Sequence, residues 1–110
     1  MIDMTDEQMH AIRATSRPYT LVVLGAGPNY RMDGARAIVW EHVRRCFALR
    51  AEGVMPLIFP VGVDGLAGVC ILTVDHDEAR RLMADDPGVA AGIFTLDVYD
   101  TRGTPGSALP

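Results

Sequence analysis

From Phe94 to Tyr99 the side chains alternate, with Phe94, Leu96 and Val98 apolar against Thr95, Asp97 and Tyr99, the two-residue period of a strand with unlike faces. A longer period governs residues 35–52. There Ala35, Ile38, Val39, Cys46 and Leu49 recur at helical spacing and Gly53 supplies a C-terminal stop. Leu21-Val22-Val23-Leu24 and Val69-Cys70-Ile71-Leu72 are apolar without interruption, as in strands covered on both faces. These patterns predict strands at Tyr19–Leu24, Met55–Val61 and Leu66–Val74, with Gly62-Val63-Asp64-Gly65 turning the last two into a hairpin. Pro56 and Pro60 suit an edge strand, which need not donate every amide. Asp75 followed by Glu78 has the spacing of a capping box, and Ala79, Leu82 and Met83 give the helix it opens a buried side. That helix is predicted to stop at Asp86-Pro87 and leave the Asp86 carboxylate free, because proline removes an amide donor and restricts the residue before it. Met4, Met9, Ile12 and Ala11 mark a short helix at Thr5–Ala14, with Asp3 or Thr5 as its N-cap.

The order strand, helix, strand, strand, helix, strand predicts an α+β, ferredoxin-like βαββαβ fold: a four-stranded antiparallel sheet with two helices on one face and an extra N-terminal helix. The implied organisation is an N-terminal helical extension at 1–18, one ferredoxin-like domain at 19–103 and a flexible tail at 104–110. In this topology the Gly25–Gly34 loop, the start of the long helix, the hairpin turn and the Asp86–Gly92 segment meet at one pole. Two helices shield only one sheet face. The continuous apolar strands therefore call for a second cover, either a sheet-to-sheet homodimer or the N-terminal helix folded underneath as a lid.

At 110 residues the chain suits one hydrophobic core. Its formal charge of −4 carries no basic run, which argues against nucleic-acid and anionic-membrane partners. The acidic start at Asp3, Asp6 and Glu7, and the lack of an apolar run of roughly 20 residues, point to a cytoplasmic protein. Cys46 and Cys70 have no Cys-x-x-Cys spacing and no histidine at ligand spacing, so they read as small buried residues of a reduced compartment. No metal or organic cofactor is expected.

His42 emerges from the apolar stripe of the long helix, one turn past Ile38, about 10 Å from its start. Its intrinsic pKa suits proton transfer near neutrality. Asp86, at the same pole, can hold one ring nitrogen and leave the other to act as a base. For both residues the structural alternative is open: a satisfied half-buried histidine and a solvated helix end. Gly25-Ala26-Gly27-Pro28-Asn29-Tyr30 begins like a dinucleotide loop, but Tyr30 replaces the third glycine and Pro28 lacks an amide donor. Tyr30 and Arg31 are the candidate substrate-binding residues of that loop, closing over an acidic or phenolic ligand. His10 and His76 read as surface residues.

Glu78-Ala79-Arg80 followed by Asp86-Pro87, Val89, Ala91-Gly92 and a final strand, together with His42 eleven residues before Gly53, resembles the YCII-related family of dimeric α/β-barrel proteins. The likeness spans about Tyr19 to Tyr99. It implies a ferredoxin-like subunit, dimerisation through the sheets, and a cleft whose His-Asp dyad maps onto His42 and Asp86. Some relatives, such as dehydrochlorinases and muconolactone isomerases, act on ring compounds without a metal or organic cofactor. Phe59-Pro60 only echoes the family's Ala-Gly-Pro, and the N-terminal helix is extra.

The resulting expectation is a small cofactor-independent enzyme of lyase or isomerase type, with His42 moving a proton on a small polar or aromatic molecule and Asp86 orienting it. The rival is a non-catalytic ligand-binding or accessory dimer. A purely structural domain would show no cavity beside His42.

Overall fold

Two glycines in left-handed conformations, Gly34 at φ 81° and Gly53 at φ 76°, bracket the longest helix, because only glycine adopts that backbone without steric cost. In the computed structural model, which describes residues 2–110, the elements are α1 (Asp6–Arg13), β1 (Arg17–Ala26), α2 (Ala35–Ala51), β2 (Leu57–Val63), β3 (Leu66–Leu72), α3 (His76–Ala84), α4 (Pro87–Ala90) and β4 (Phe94–Gly103). The sheet order is β2-β3-β1-β4. All three pairings are antiparallel. This is the expected ferredoxin-like α+β fold, with proline-bearing β2 at an edge. Asp64-Gly65, with Gly65 at φ 79°, closes the β2–β3 hairpin, as Asp-Gly does in tight hairpin turns.

β1 alternates in burial. Thr20, Val22 and Leu24 are buried, whereas Leu21 and Val23 between them are only half-buried. The register pairs Val22 with Cys70 and Val98, and Thr20 with Leu72, so these residues share the face that carries the core. Met55, Met83 and Ile93 complete that core with no exposed surface. On the opposite face Leu21 pairs with Ile71 and Val23 with Val69.

α1 does not act as a lid over that second face. Its Thr5–Gln8 capping box is complete, but none of its residues is buried, and Met9 and Ile12 remain about half exposed. The helix is held by its own ends. Leu21, Val23, Val69 and Ile71 therefore form an apolar sheet surface that neither α1 nor the core-side helices cover.

The segment after α3 departs from expectation. α3 ends at Ala84, and Asp86 is the N-cap of a new turn, α4, with Pro87 in its first position. Proline is tolerated there because a first-turn amide has no intrahelical partner to lose. The strand that follows, β4, continues to Gly103, paired with Arg17.

Candidate functional site

His42 reaches the site because its turn of α2 faces the sheet: Ala35, His42, Cys46 and Leu49 are the buried residues of that helix. Asp86 approaches from the α3–α4 junction. His42 Nδ1 lies 2.8 Å from both carboxylate oxygens of Asp86. The carboxylate is not free at a helix exit, as the sequence suggested. It has no exposed surface and also accepts the backbone amides of Gly88 at 2.9 Å and Val89 at 3.2 Å. Those amides belong to the first turn of α4. They place Asp86 at the positive end of a helix rather than the negative end of α3, and so make burial of the charge tolerable.

Burial by itself would lower the His42 pKa. Hydrogen bonds to Asp86 and Cys46, with the charges of both groups, outweigh it and raise the pKa from 6.5 to about 9. For Asp86 burial acts upward, but the hydrogen bond and charge of His42, then the Val89 and Gly88 amides, hold it below the ordinary carboxylate range. The resting pair is therefore imidazolium and carboxylate. The sequence reading took the free nitrogen as a base; in the folded protein Nε2 starts as a donor.

Phe94 tilts against the imidazole at 56° with ring centroids 4.7 Å apart, a separation at which an aromatic face favours a cation. Tyr30 leans on Phe94 in turn, at 6.2 Å. Arg45 adds a second positive charge: its Nη1 lies 3.8 Å from Asp86 Oδ1, while Nη2 donates to the Leu82 carbonyl at 2.6 Å.

Beside the pair opens a cavity of about 670 Å³. Its wall is mostly apolar: Val39, Val43 and Phe47 from α2, Ile58 and Pro60 from β2, and Phe94 from β4. His42, Cys46 and Tyr30 also face it. Arg31 does not. It lines a neighbouring hollow of about 520 Å³ between the loop after β1 and the β2–β3 hairpin, which Tyr30 shares. The structure thus joins Tyr30 to the His42–Asp86 pair and sets Arg31 apart.

The glycine-rich loop has a structural explanation. Gly27 N donates to Ile93 O at 2.7 Å, Asn29 N to Gly92 O at 2.9 Å, and Asn29 Nδ2 to Ala91 O at 2.8 Å. A Cβ on Gly27 would stand 2.3 Å from the Gly92 carbonyl oxygen. Glycine is needed there for close approach of two backbones, and the Gly27 and Asn29 amides, which a phosphate cradle would use, are already engaged.

His42, Cys46 and Asp86 set one donor atom each within 4.8 Å of one another. The hydrogen bonds occupy Nδ1 and both carboxylate oxygens, leaving Nε2 and the Cys46 thiol as two open donors, half of what a tetrahedral site takes. Elsewhere His76 pairs with Asp100 at 3.2 Å on the surface, and Asp75 caps α3 through the Glu78 amide. Sequence reasoning missed Arg45, Phe94 and the exposed wall residue Phe47. The sequence reading found no histidine at ligand spacing from either cysteine; His42 and Cys46 stand i, i+4 on one face of α2 and meet in the structure, and that spacing is the signal it overlooked.

No family model and no curated protein matches the sequence. Among solved structures, the chain is similar to 5-chloro-2-hydroxyhydroquinone dehydrochlorinase from Burkholderia phenoliruptrix AC1100, in complex with 2,5-dihydroxybenzoquinone. The TM-score is 0.50 at 17% identity, over 74% of this chain and 90% of that one. That likeness defines a class by fold alone: the ferredoxin-like α+β subunit. Among the described residues no helix is long and apolar enough to cross a membrane.

Proposed function

We propose that the protein is a small enzyme of lyase or isomerase type, related to the YCII family, in which His42 and Asp86 transfer a proton on a small polar or aromatic ring compound. The observation that carries this reading is the orientation of the dyad: Asp86 takes Nδ1 of His42 and leaves Nε2 as the nitrogen available beside an apolar cavity. A buried ion pair with no access to a hollow would support only a structural role. The aromatic walls suit a ring compound, since Phe94, Phe47 and Tyr30 offer stacking surfaces. The dehydrochlorinase of the same fold, solved with a dihydroxybenzoquinone, supports a hydroxylated or quinone-like ring as substrate class. In the resting state the protonated ring would donate to a phenolic or carbonyl oxygen, and the neutral ring would then accept a proton from the substrate, so neither step calls for a cofactor. The open apolar sheet face supports a homodimer formed through the sheets.

The test is turnover of a panel of halogenated and hydroxylated ring compounds by wild type and by His42→Asn, whose amide can still donate to Asp86. General acid–base catalysis is worth about 10² to 10⁴-fold, so the variant should lose that much kcat with its circular dichroism intact. Full activity in a folded His42→Asn protein would overturn the proposal. In the alternative reading, a ligand-binding or accessory dimer, the same cavity binds such rings without converting them.

A further inference from the structure

The cavity wall holds a second reactive group beside the dyad. Cys46 follows His42 by one helical turn, with its Sγ 3.7 Å from Nε2 and 3.9 Å from Nδ1, and His42 is in turn fixed by Asp86 at 2.8 Å. Thiol, imidazole and carboxylate thus form a contiguous array, the arrangement in which an oriented histidine activates a sulfur nucleophile. The residue is 5% exposed overall, yet it lines the 670 Å³ cavity. Its access is to the hollow and not to bulk solvent.

We infer that Cys46 is a nucleophile that captures electrophilic ring compounds, quinones and cyclic enones, by conjugate addition inside this cavity. The inference uses the same cavity as the proposed function but requires no turnover. In the step, the Cys46 sulfur forms a bond to the β-carbon of the acceptor as its C=C π pair moves toward the carbonyl, and the carbonyl π pair goes to oxygen. The protonated His42 gives its Nε2 proton to that oxygen and takes the thiol proton in its place, so the imidazolium is restored. The ring leaves the step as an enol; a quinone adduct then becomes a hydroquinone as the hydrogen on the attacked carbon moves to the second carbonyl oxygen. The sulfur–carbon bond replaces S–H, so no external oxidant or reductant is consumed.

The protein contains its own control. Cys70 lines the same cavity and is the only other cysteine, but burial, with the nearby charges of Cys46 and Asp86, pushes its thiol up to about 12, which leaves it protonated and poorly nucleophilic. All ten basic residues other than histidine are arginine, so lysine amines do not compete for the electrophile.

The experiment treats the native protein with one equivalent of 1,4-benzoquinone at pH 7 and follows the adduct by intact-mass and peptide mass spectrometry. A single adduct on Cys46 is expected. It should form at least tenfold faster than on the same cysteine in guanidinium-denatured protein, and at least tenfold faster than in His42→Asn. Adduct on Cys70 alone, no adduct, or a native rate at or below the denatured rate would overturn the inference. The native-to-denatured comparison needs no variant, so it decides the question even if His42→Asn is destabilised. A turnover assay reads His42 and the labelling rate reads Cys46, so the two proposals fail separately.

Discussion

At the scale of single residues, the His42–Asp86 pair ties stability to pH in a definite direction. The folded protein holds the His42 proton more tightly than an unfolded chain does, since its pKa is raised from 6.5 to about 9. That contribution is whole below about pH 6.5 and is lost as pH rises through 9. Asp86 is shifted the other way, so its contribution is whole above the unfolded carboxylate value of about 3.9 and is lost as pH falls through its depressed folded value. The pair therefore stabilises most between about pH 4 and 6.5. Urea midpoints measured at pH 6 and pH 9.5 should differ by the equivalent of about 3 kcal/mol, taking about 1.4 kcal/mol per pKa unit. In Asp86→Asn that difference should largely vanish, and the His42 ring, titrated by NMR, should move back toward 6.5 because burial is then opposed by Cys46 alone. A ring that still titrates near 9 in Asp86→Asn would contradict the assignment of cause. The sequence showed that both residues belonged to one pole; the depth of Asp86 was not visible, because a carboxylate's burial depends on donors that only the folded backbone supplies.

At the scale of elements, α4 is the piece that converts a helix end into half of a site. Four residues carry no helical periodicity, and Asp-Pro reads equally as the stop of one helix or the N-cap and first position of the next. The structure uses both meanings, ending α3 before Asp86 and starting α4 after it. Two glycines test how this corner is packed. At Gly27 a Cβ would press on backbone, 2.3 Å from Gly92 O and 3.0 Å from Ile93 C; at Gly88 it would stand 2.6 Å from the Phe94 ring and 3.1 Å from Asp86 Oδ2. Both Gly27→Ala and Gly88→Ala should cost about 1–3 kcal/mol, the usual range for overpacking, read from chemical denaturation. Gly88→Ala should shift the His42 titration more than Gly27→Ala does, since its Cβ meets Phe94 and Asp86 directly and both touch that ring. Equal titrations in the two variants would mean that Phe94 and Asp86 do not set the ring's environment.

At the scale of the whole molecule, Leu21, Val23, Val69 and Ile71 present an apolar surface that α1 leaves bare. Wild-type protein is expected to sediment as a dimer, and Val23→Asp combined with Ile71→Lys to sediment as a folded monomer, because charges desolvated in an interface cost far more than on an open surface. A wild-type monomer at tens of micromolar would remove the sheet-to-sheet arrangement. Much of the fold was legible from local rules. The alternation through Phe94–Tyr99, the stripe from Ala35 to Leu49, the Asp-Gly hairpin and the edge prolines together determined the order and type of the main elements, since period, turn chemistry and proline geometry act over a few residues. What the chain alone left open was decided by contacts between distant segments. α1 was free to be a lid or an appendage until its packing was known, Arg31 was indistinguishable from Tyr30 until the loop was zipped to Gly92 and Ile93, and the histidine of one helix became an imidazolium only when a carboxylate 44 residues away was folded against it. Local sequence sets backbone conformation because its energies are short-ranged; burial and proton affinity depend on what surrounds a group, and only the tertiary structure supplies those surroundings.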